Sequence, residues 1–92
     1  MQQLILNSKY VLVFEPSGSK IRIVVLDGGL ESVCRKETLK NLTRFLVSEE
    51  IRIFKGRLQL RKINNAIEII VKGKPIAIIS SASLERILNN LQ

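Results

Sequence analysis

Apolar and polar residues alternate with a period of two over residues 3–7, 10–15, 20–27 and 30–35, and again over 50–55, 57–63, 66–72 and 75–80. A period of two is that of a β-strand with one face buried, so eight short strands are expected. Two stretches change period. Leu39, Leu42 and Leu46 recur at i, i+3 and i+7, and Leu84, Ile87, Leu88 and Leu91 recur similarly. These predict amphipathic helices over about 37–47 and 82–91, the second capped by Ser81 or Ser83. Helices this short are not stable alone in water, so each must pack against a sheet.

The separators between strands have turn chemistry: Asn7-Ser8, Pro16-Ser17-Gly18-Ser19, Asp27-Gly28-Gly29, Lys55-Gly56, Asn64-Asn65 and Gly73-Lys74. Gly, Asn and Asp tolerate the positive φ that tight hairpins need, so consecutive strands are expected to pair antiparallel. Pro75 cannot donate to a ladder, and its place at the start of a run marks that strand as an edge.

The order of elements occurs twice, as ββββα over 1–47 and again over 48–92. At a spacing of 47, Leu4, Leu6, Val11 and Val13 fall on Ile51, Ile53, Leu58 and Leu60. At 46, Ile21, Ile23, Val25 and Leu30 fall on Ile67, Ile69, Val71 and Ile76. At 45, Leu39, Leu42 and Leu46 fall on Leu84, Ile87 and Leu91. The expected fold class is α+β, a tandem ββββα repeat with two four-stranded antiparallel sheets, each with one packing helix. With only Ser48-Glu49 between them, the repeats are expected to interlock as a single domain, 1–92.

Strand alternation sorts residues by face. Toward the helices it places Leu4, Leu6, Val11, Val13, Ile21, Ile23, Val25, Leu30, Ile51, Ile53, Leu58, Leu60, Ile67, Ile69, Val71, Ile76 and Ile78. Outward in the second repeat it places Arg52, Phe54, Arg57, Gln59, Arg61, Glu68, Ile70, Lys72, Ala77 and Ile79. Outward in the first it places Ile5, Tyr10, Leu12, Phe14, Arg22, Val24, Leu26, Glu31, Val33 and Arg35. The second set is cationic and polar. The first is greasier, an apolar patch of the kind monomers rarely leave in water, which suits burial against another surface or the stacking of bases on Tyr10 and Phe14. Cys34 is expected to be a small buried hydrophobe.

Composition agrees with a sheet-rich domain. The 92 residues are 46% hydrophobic and 25% charged, with 13 Ile and 7 Val, whose β-branched side chains suit strands. Charge adds direction: 15 Lys and Arg against 8 Asp and Glu leave a net +7, which for so short a chain points to a polyanionic partner. The excess is divided almost evenly, +3 in residues 1–47 and +4 in 48–92, so there is no separate basic arm. Enzyme chemistry has little to use. There is no His, one Cys and one Asp, so a Ser-His-Asp triad, a Cys-His dyad or a zinc site within one chain is excluded. No cofactor is expected. The GSK and GKP triplets lack the spacing of a phosphate-binding loop, and Glu49-Glu50 reads as a solvated junction. No run is long enough to span a bilayer and the first residues lack a basic leader, so a cytoplasmic location is expected, with the nucleoid or nucleus as variants.

Arg neutralises phosphates and stacks on bases, an aromatic ring offers a base platform, and Gln bonds donor or acceptor edges. The candidate nucleic-acid-binding residues are therefore Arg52, Phe54, Arg57, Gln59, Arg61 and Lys72, joined from the first repeat by Tyr10, Phe14, Lys20 and Arg22. The plainer reading is that they form the solvated side of an antiparallel sheet.

A ββββα unit in tandem within a basic chain resembles the Whirly and PUR families of single-stranded DNA- and RNA-binding proteins. The resemblance spans the chain and rests on element order, duplication and charge. It implies paired four-stranded sheets packed with their helices, single-stranded DNA or RNA lying across sheet surfaces, and homodimers or higher oligomers. This chain's compact loops and few aromatic residues shift the expected binding mode toward electrostatics. Residues 66–88 (AIEIIVKGKPIAIISSASLERIL) are also similar to the hairpin and helix of Phd-type antitoxins, which are repressors of double-stranded DNA. A non-enzymatic single-strand binder of low sequence specificity is the leading expectation. A protein-interaction or oligomerisation subunit, or an antitoxin-type regulator, is the alternative.

Overall fold

The computed structural model describes residues 1–91. The first repeat comprises β1 (Gln2–Ile5), β2 (Tyr10–Ser17), β3 (Lys20–Asp27), β4 (Leu30–Glu37) and α1 (Leu39–Val47). The second comprises β5 (Arg52–Ile53), β6 (Leu58–Ile63), β7 (Ala66–Val71), β8 (Lys74–Ser80) and α2 (Ser81–Asn90). The strands form two antiparallel sheets in sequence order, β1-β2-β3-β4 and β5-β6-β7-β8. This is the α+β tandem ββββα arrangement that the periodicity predicts.

Both helices start where a hydroxyl can accept a free backbone N–H. Thr38 accepts from Asn41 N at 3.1 Å and Ser80 from Ser83 N at 3.0 Å. The second cap is thus Ser80, not Ser81 or Ser83. At the other end of α1 the Lys62 ammonium donates to Phe45 O at 2.5 Å and Ser48 O at 2.6 Å, and lies 4.8 Å from the centre of the Phe45 ring. A cation on the negative end of the helix dipole thereby ties the second sheet to the first helix.

One core serves both repeats. Leu12, Phe14, Ile23 and Val25 of the first sheet meet Leu58, Leu60, Ile67 and Ile69 of the second, with Leu42 and Phe45 of α1 and Leu84 and Leu88 of α2. The two sheets also approach at their margins. Arg35 on β4 lies over the Phe54 ring at 5.0 Å, and the Asn7 amide donates to Ile76 O on β8 at 3.4 Å.

Three features overturn parts of the face assignment, each through register. First, β2 is inverted relative to expectation. Its pairing puts Leu12 opposite Val25 and Phe14 opposite Ile23, while Val13 faces Val24 on the outer side. Residues 11–14 are apolar at both parities, so alternation there carries no signal, and the larger Leu12 and Phe14 take the core. Tyr10 goes with them and packs against the core, half-buried.

Second, Phe54 has φ +73, in the left-handed region that a bulky residue rarely enters. That conformation ends the alternation of β5 and turns the ring inward, leaving it 7% exposed. Third, each repeat carries a register shift two pairs beyond a hairpin turn, between Val25 and Leu26 and between Ile69 and Ile70. Beyond the shifts, Val33 turns inward to the core, Cys34 is exposed opposite Val24, Ala77 and Ile79 pack inward, and Ile78 is exposed. Leu30 and Ile51, expected inside, are exposed as well.

The repeat relation shifts accordingly. The β2–β3 turn at Gly18-Ser19 corresponds to Asn64-Asn65, a spacing of 46; Gly28-Gly29 corresponds to Lys72-Gly73, a spacing of 44; the caps Thr38 and Ser80 are 42 apart. The second repeat thus loses residues in pairs, the only step that shortens a strand without moving its core residues to the solvent side.

A direct check on the β2 inversion is Phe14→Ala. As a core deletion it is expected to cost about 3–5 kcal/mol of unfolding free energy, whereas an outward position would cost less than about 0.5 kcal/mol. A loss below about 1 kcal/mol in denaturant titration would place Phe14 on the surface.

Candidate nucleic-acid interface

The ten sequence-selected residues divide into groups. Arg52, Gln59 and Arg61 face outward on the second sheet: Arg52 pairs with Arg61 across β5 and β6, and Arg61 with Glu68 across β6 and β7. Arg57 and Lys72 are exposed at one end of the same sheet, where the Lys72 amide donates to Arg57 O at 2.7 Å. Lys20 is exposed at the tip of the β2–β3 hairpin, on the other sheet.

Four of the ten do not join this group as free ligand-binding side chains. Phe14 is fully buried and Phe54 is in the core, while Tyr10 is half-buried on the first sheet with the Lys9 ammonium 5.2 Å from its ring centre. Arg22 is held between two carboxylates, donating through Nη1 to Glu15 at 2.6 Å and through Nη2 to Glu31. These hydrogen bonds, Glu15 first, push the guanidinium pKa further above its already high value. The cluster of one cation and two anions carries net negative charge and presents no cation for a phosphate.

The fold also brings together residues that alternation does not single out. The β5–β6 loop carries Lys55-Gly56-Arg57 and the β7–β8 turn carries Lys72-Gly73-Lys74, and the Lys72–Arg57 backbone bond sets these two loops side by side. Lys55 and Lys74 therefore belong to the same corner. The Arg35 guanidinium reaches it too, 3.5 Å from where a Cβ on Gly56 would stand. The signal was the pair of Lys-Gly-basic triplets, legible in sequence, but their meeting depends on the β6–β7 pairing.

Countercharge is sparse. Among the described residues the ion pairs are Lys9–Asp27, Arg22–Glu15, Arg22–Glu31 and Arg61–Glu68, the last at 3.6 Å. Arg35, Arg52, Lys55, Arg57, Lys72 and Lys74 enter none of these. Like charges directly opposite on a sheet are destabilising, and at the Arg52–Arg61 pair Glu68 offsets one of the two. Gln59 supports the arrangement: its Oε1 accepts from Arg52 Nη1 at 2.9 Å and its Nε2 donates to Gly56 O at 3.2 Å.

Lys72 adds a backbone cost. It has φ +52 and Gly73 has φ +80, the two positive values of a type I′ hairpin turn, whose first position favours Asn or Gly. The opposite face, outward on the first sheet, differs in kind. Ile5 is 75% exposed and stands opposite Val11, which is followed by the Val13–Val24 pair, while Leu26 lies opposite Val11 on the other side.

Relief of the turn cost separates stability from binding. Lys72→Asn is expected to raise stability by about 0.5–1 kcal/mol, since Asn tolerates the left-handed region. A lowered denaturation midpoint would contradict the strain assigned to Lys72.

Comparison of the chain with protein-family models, curated proteins and solved structures gives no match.

Proposed function

We propose that the protein is a non-enzymatic binder of single-stranded DNA or RNA with little sequence preference, and that the outward face and basic corner of the second sheet are its binding surface. The observation that carries this reading is the convergence of Lys55, Arg57, Lys72 and Lys74 on one corner with no acidic residue in either loop. Arg52 continues the positive field along the sheet, beside Arg61 with its partner Glu68. Such a field attracts a polyanion and lets bound counterions go as phosphates replace them.

The reading of the surface differs from sequence expectation in its balance. Tyr10, Phe14, Phe54 and Arg22 drop out, Lys20 drops out because it lies on the first sheet, and Lys55 and Lys74 enter. Affinity for an unstructured oligonucleotide is expected to fall with salt by about 0.7 log units per log unit for each neutralised phosphate. Titration of a labelled strand at two salt concentrations checks this, and equally weak binding at both would overturn it.

A second reading concerns association. Ile5, Val11 and Leu26 surround Val13 and Val24 on the outward face of the first sheet, and the Glu15–Arg22–Glu31 cluster leaves no unpaired cation there. An apolar face with Ile5 exposed and its one arginine held by carboxylates suits contact with a second copy, giving a homodimer or higher oligomer. Ile5→Glu is then expected to shift the solution mass measured by light scattering toward the monomer. A wild-type mass already equal to one chain would remove this reading while leaving the nucleic-acid reading in place.

A further inference from the structure

We infer that the binding face reads the phosphodiester backbone of its strand and not the bases, with the backbone running along β6 from the basic corner to the Arg52–Arg61 pair. The inference rests on the nucleic-acid reading above and narrows it to one recognition chemistry.

Three observations carry it. The chain has four aromatic residues, one Tyr and three Phe, and none lies on the outer face of the second sheet: Phe14, Phe45 and Phe54 are buried, and Tyr10 is a half-buried residue of the first sheet with the Lys9 ammonium 5.2 Å from its ring centre. A strand on the outer face therefore meets no aromatic platform. Next, Gln59 is the one amide side chain of β6, and both ends of its amide are engaged, one by Arg52 and one by the Gly56 carbonyl. Its role is to position Arg52, and its orientation is fixed by the protein instead of by a base edge. Last, cations run from the loop that leads into β6 onto the strand itself. Arg57 in that loop and Arg61, the fourth residue of β6, are four residues apart, about 14 Å if extended at roughly 3.4 Å per residue. Arg52 is paired with Arg61 at one end and the Lys72 amide is bonded to Arg57 at the other.

Cations spread along an aromatic-free strip, with the Arg52 guanidinium on Gln59 between the corner and Arg61, hold a flexible chain of phosphates at several points. Base identity, and even the presence of a base, does not enter. Arg is suited to the Arg52–Arg61 end because its planar fork matches a phosphate, while the lysines of the corner act as point charges.

The test uses the intact protein and three labelled strands of equal length, roughly 20 nucleotides, longer than a single such site occupies. One is an unmodified thymidine strand, one is abasic throughout, and one keeps its bases on an uncharged methylphosphonate backbone. Losing even one stacked base costs about fivefold or more in affinity, so the abasic strand is expected to bind within about fivefold of the unmodified one. The methylphosphonate strand is expected not to bind. An abasic strand weaker by more than about fivefold, or methylphosphonate binding equal to the unmodified strand, overturns the backbone reading while the proposed function stands. If neither charged strand binds, the proposed function itself falls. Arg52→Ala with Arg61→Ala, and separately Arg57→Ala with Lys74→Ala, are each expected to reduce the salt slope by about 1.4. An unchanged slope in either folded double variant removes that end of the path.

Discussion

Burial of one face of each sheet in a common core is the constraint on which the rest of the molecule depends. A repeat of about half this chain could not hide enough apolar surface to offset the entropy of ordering itself, since small domains bury the smallest share of their surface. Phe14 from the first sheet, Phe54 from the second and Phe45 from the first helix all lie in one cluster. The remaining geometry follows from keeping them there. Lys62 caps α1 from the other repeat, and Arg35 covers Phe54 from across the sheet margin, so polar groups reinforce a union that apolar burial requires.

That constraint also divides the surface. With the aromatic residues committed inward, the two outer faces are left to charge and to aliphatic side chains. The first sheet neutralises its central arginine with two glutamates and keeps Ile5, Val11 and Leu26 near water. The second leaves its cations largely unpaired and sets two arginines opposite each other. One outer face is thus largely aliphatic and the other largely cationic, the contrast on which the proposed function rests. The costs of the second face, cross-strand repulsion at Arg52–Arg61 and a left-handed Lys72, are small beside the burial of the core and are tolerated because the core fixes the backbone around them.

The relation between the repeats obeys the same rule. Spacings of 46, 44 and 42 at successive landmarks mean that residues are removed two at a time. Removing one would carry a strand's apolar set to the solvent side, at a cost no small core could absorb. Odd spacings read from sequence matched apolar to apolar in β2 only because both parities there are apolar.

Sequence by itself determined the number, kind and order of elements, the antiparallel hairpins and the apolar stripes of both helices. These are set locally, by period, turn residues and caps, and the outward placement of Arg52, Gln59 and Arg61 on the second sheet was legible for the same reason. Tertiary structure decided what no local pattern encodes: which side of β2 faces the core, the inward turn of Phe54, the register shifts that expose Cys34 and Ile78, the capture of Arg22 by Glu15 and Glu31, and the meeting of the two lysine-glycine loops. Each depends on which of several apolar or charged neighbours wins a place in a shared core or across a strand pair. That competition is settled only when both repeats are folded together, because the energy at stake comes from contacts distant in the chain.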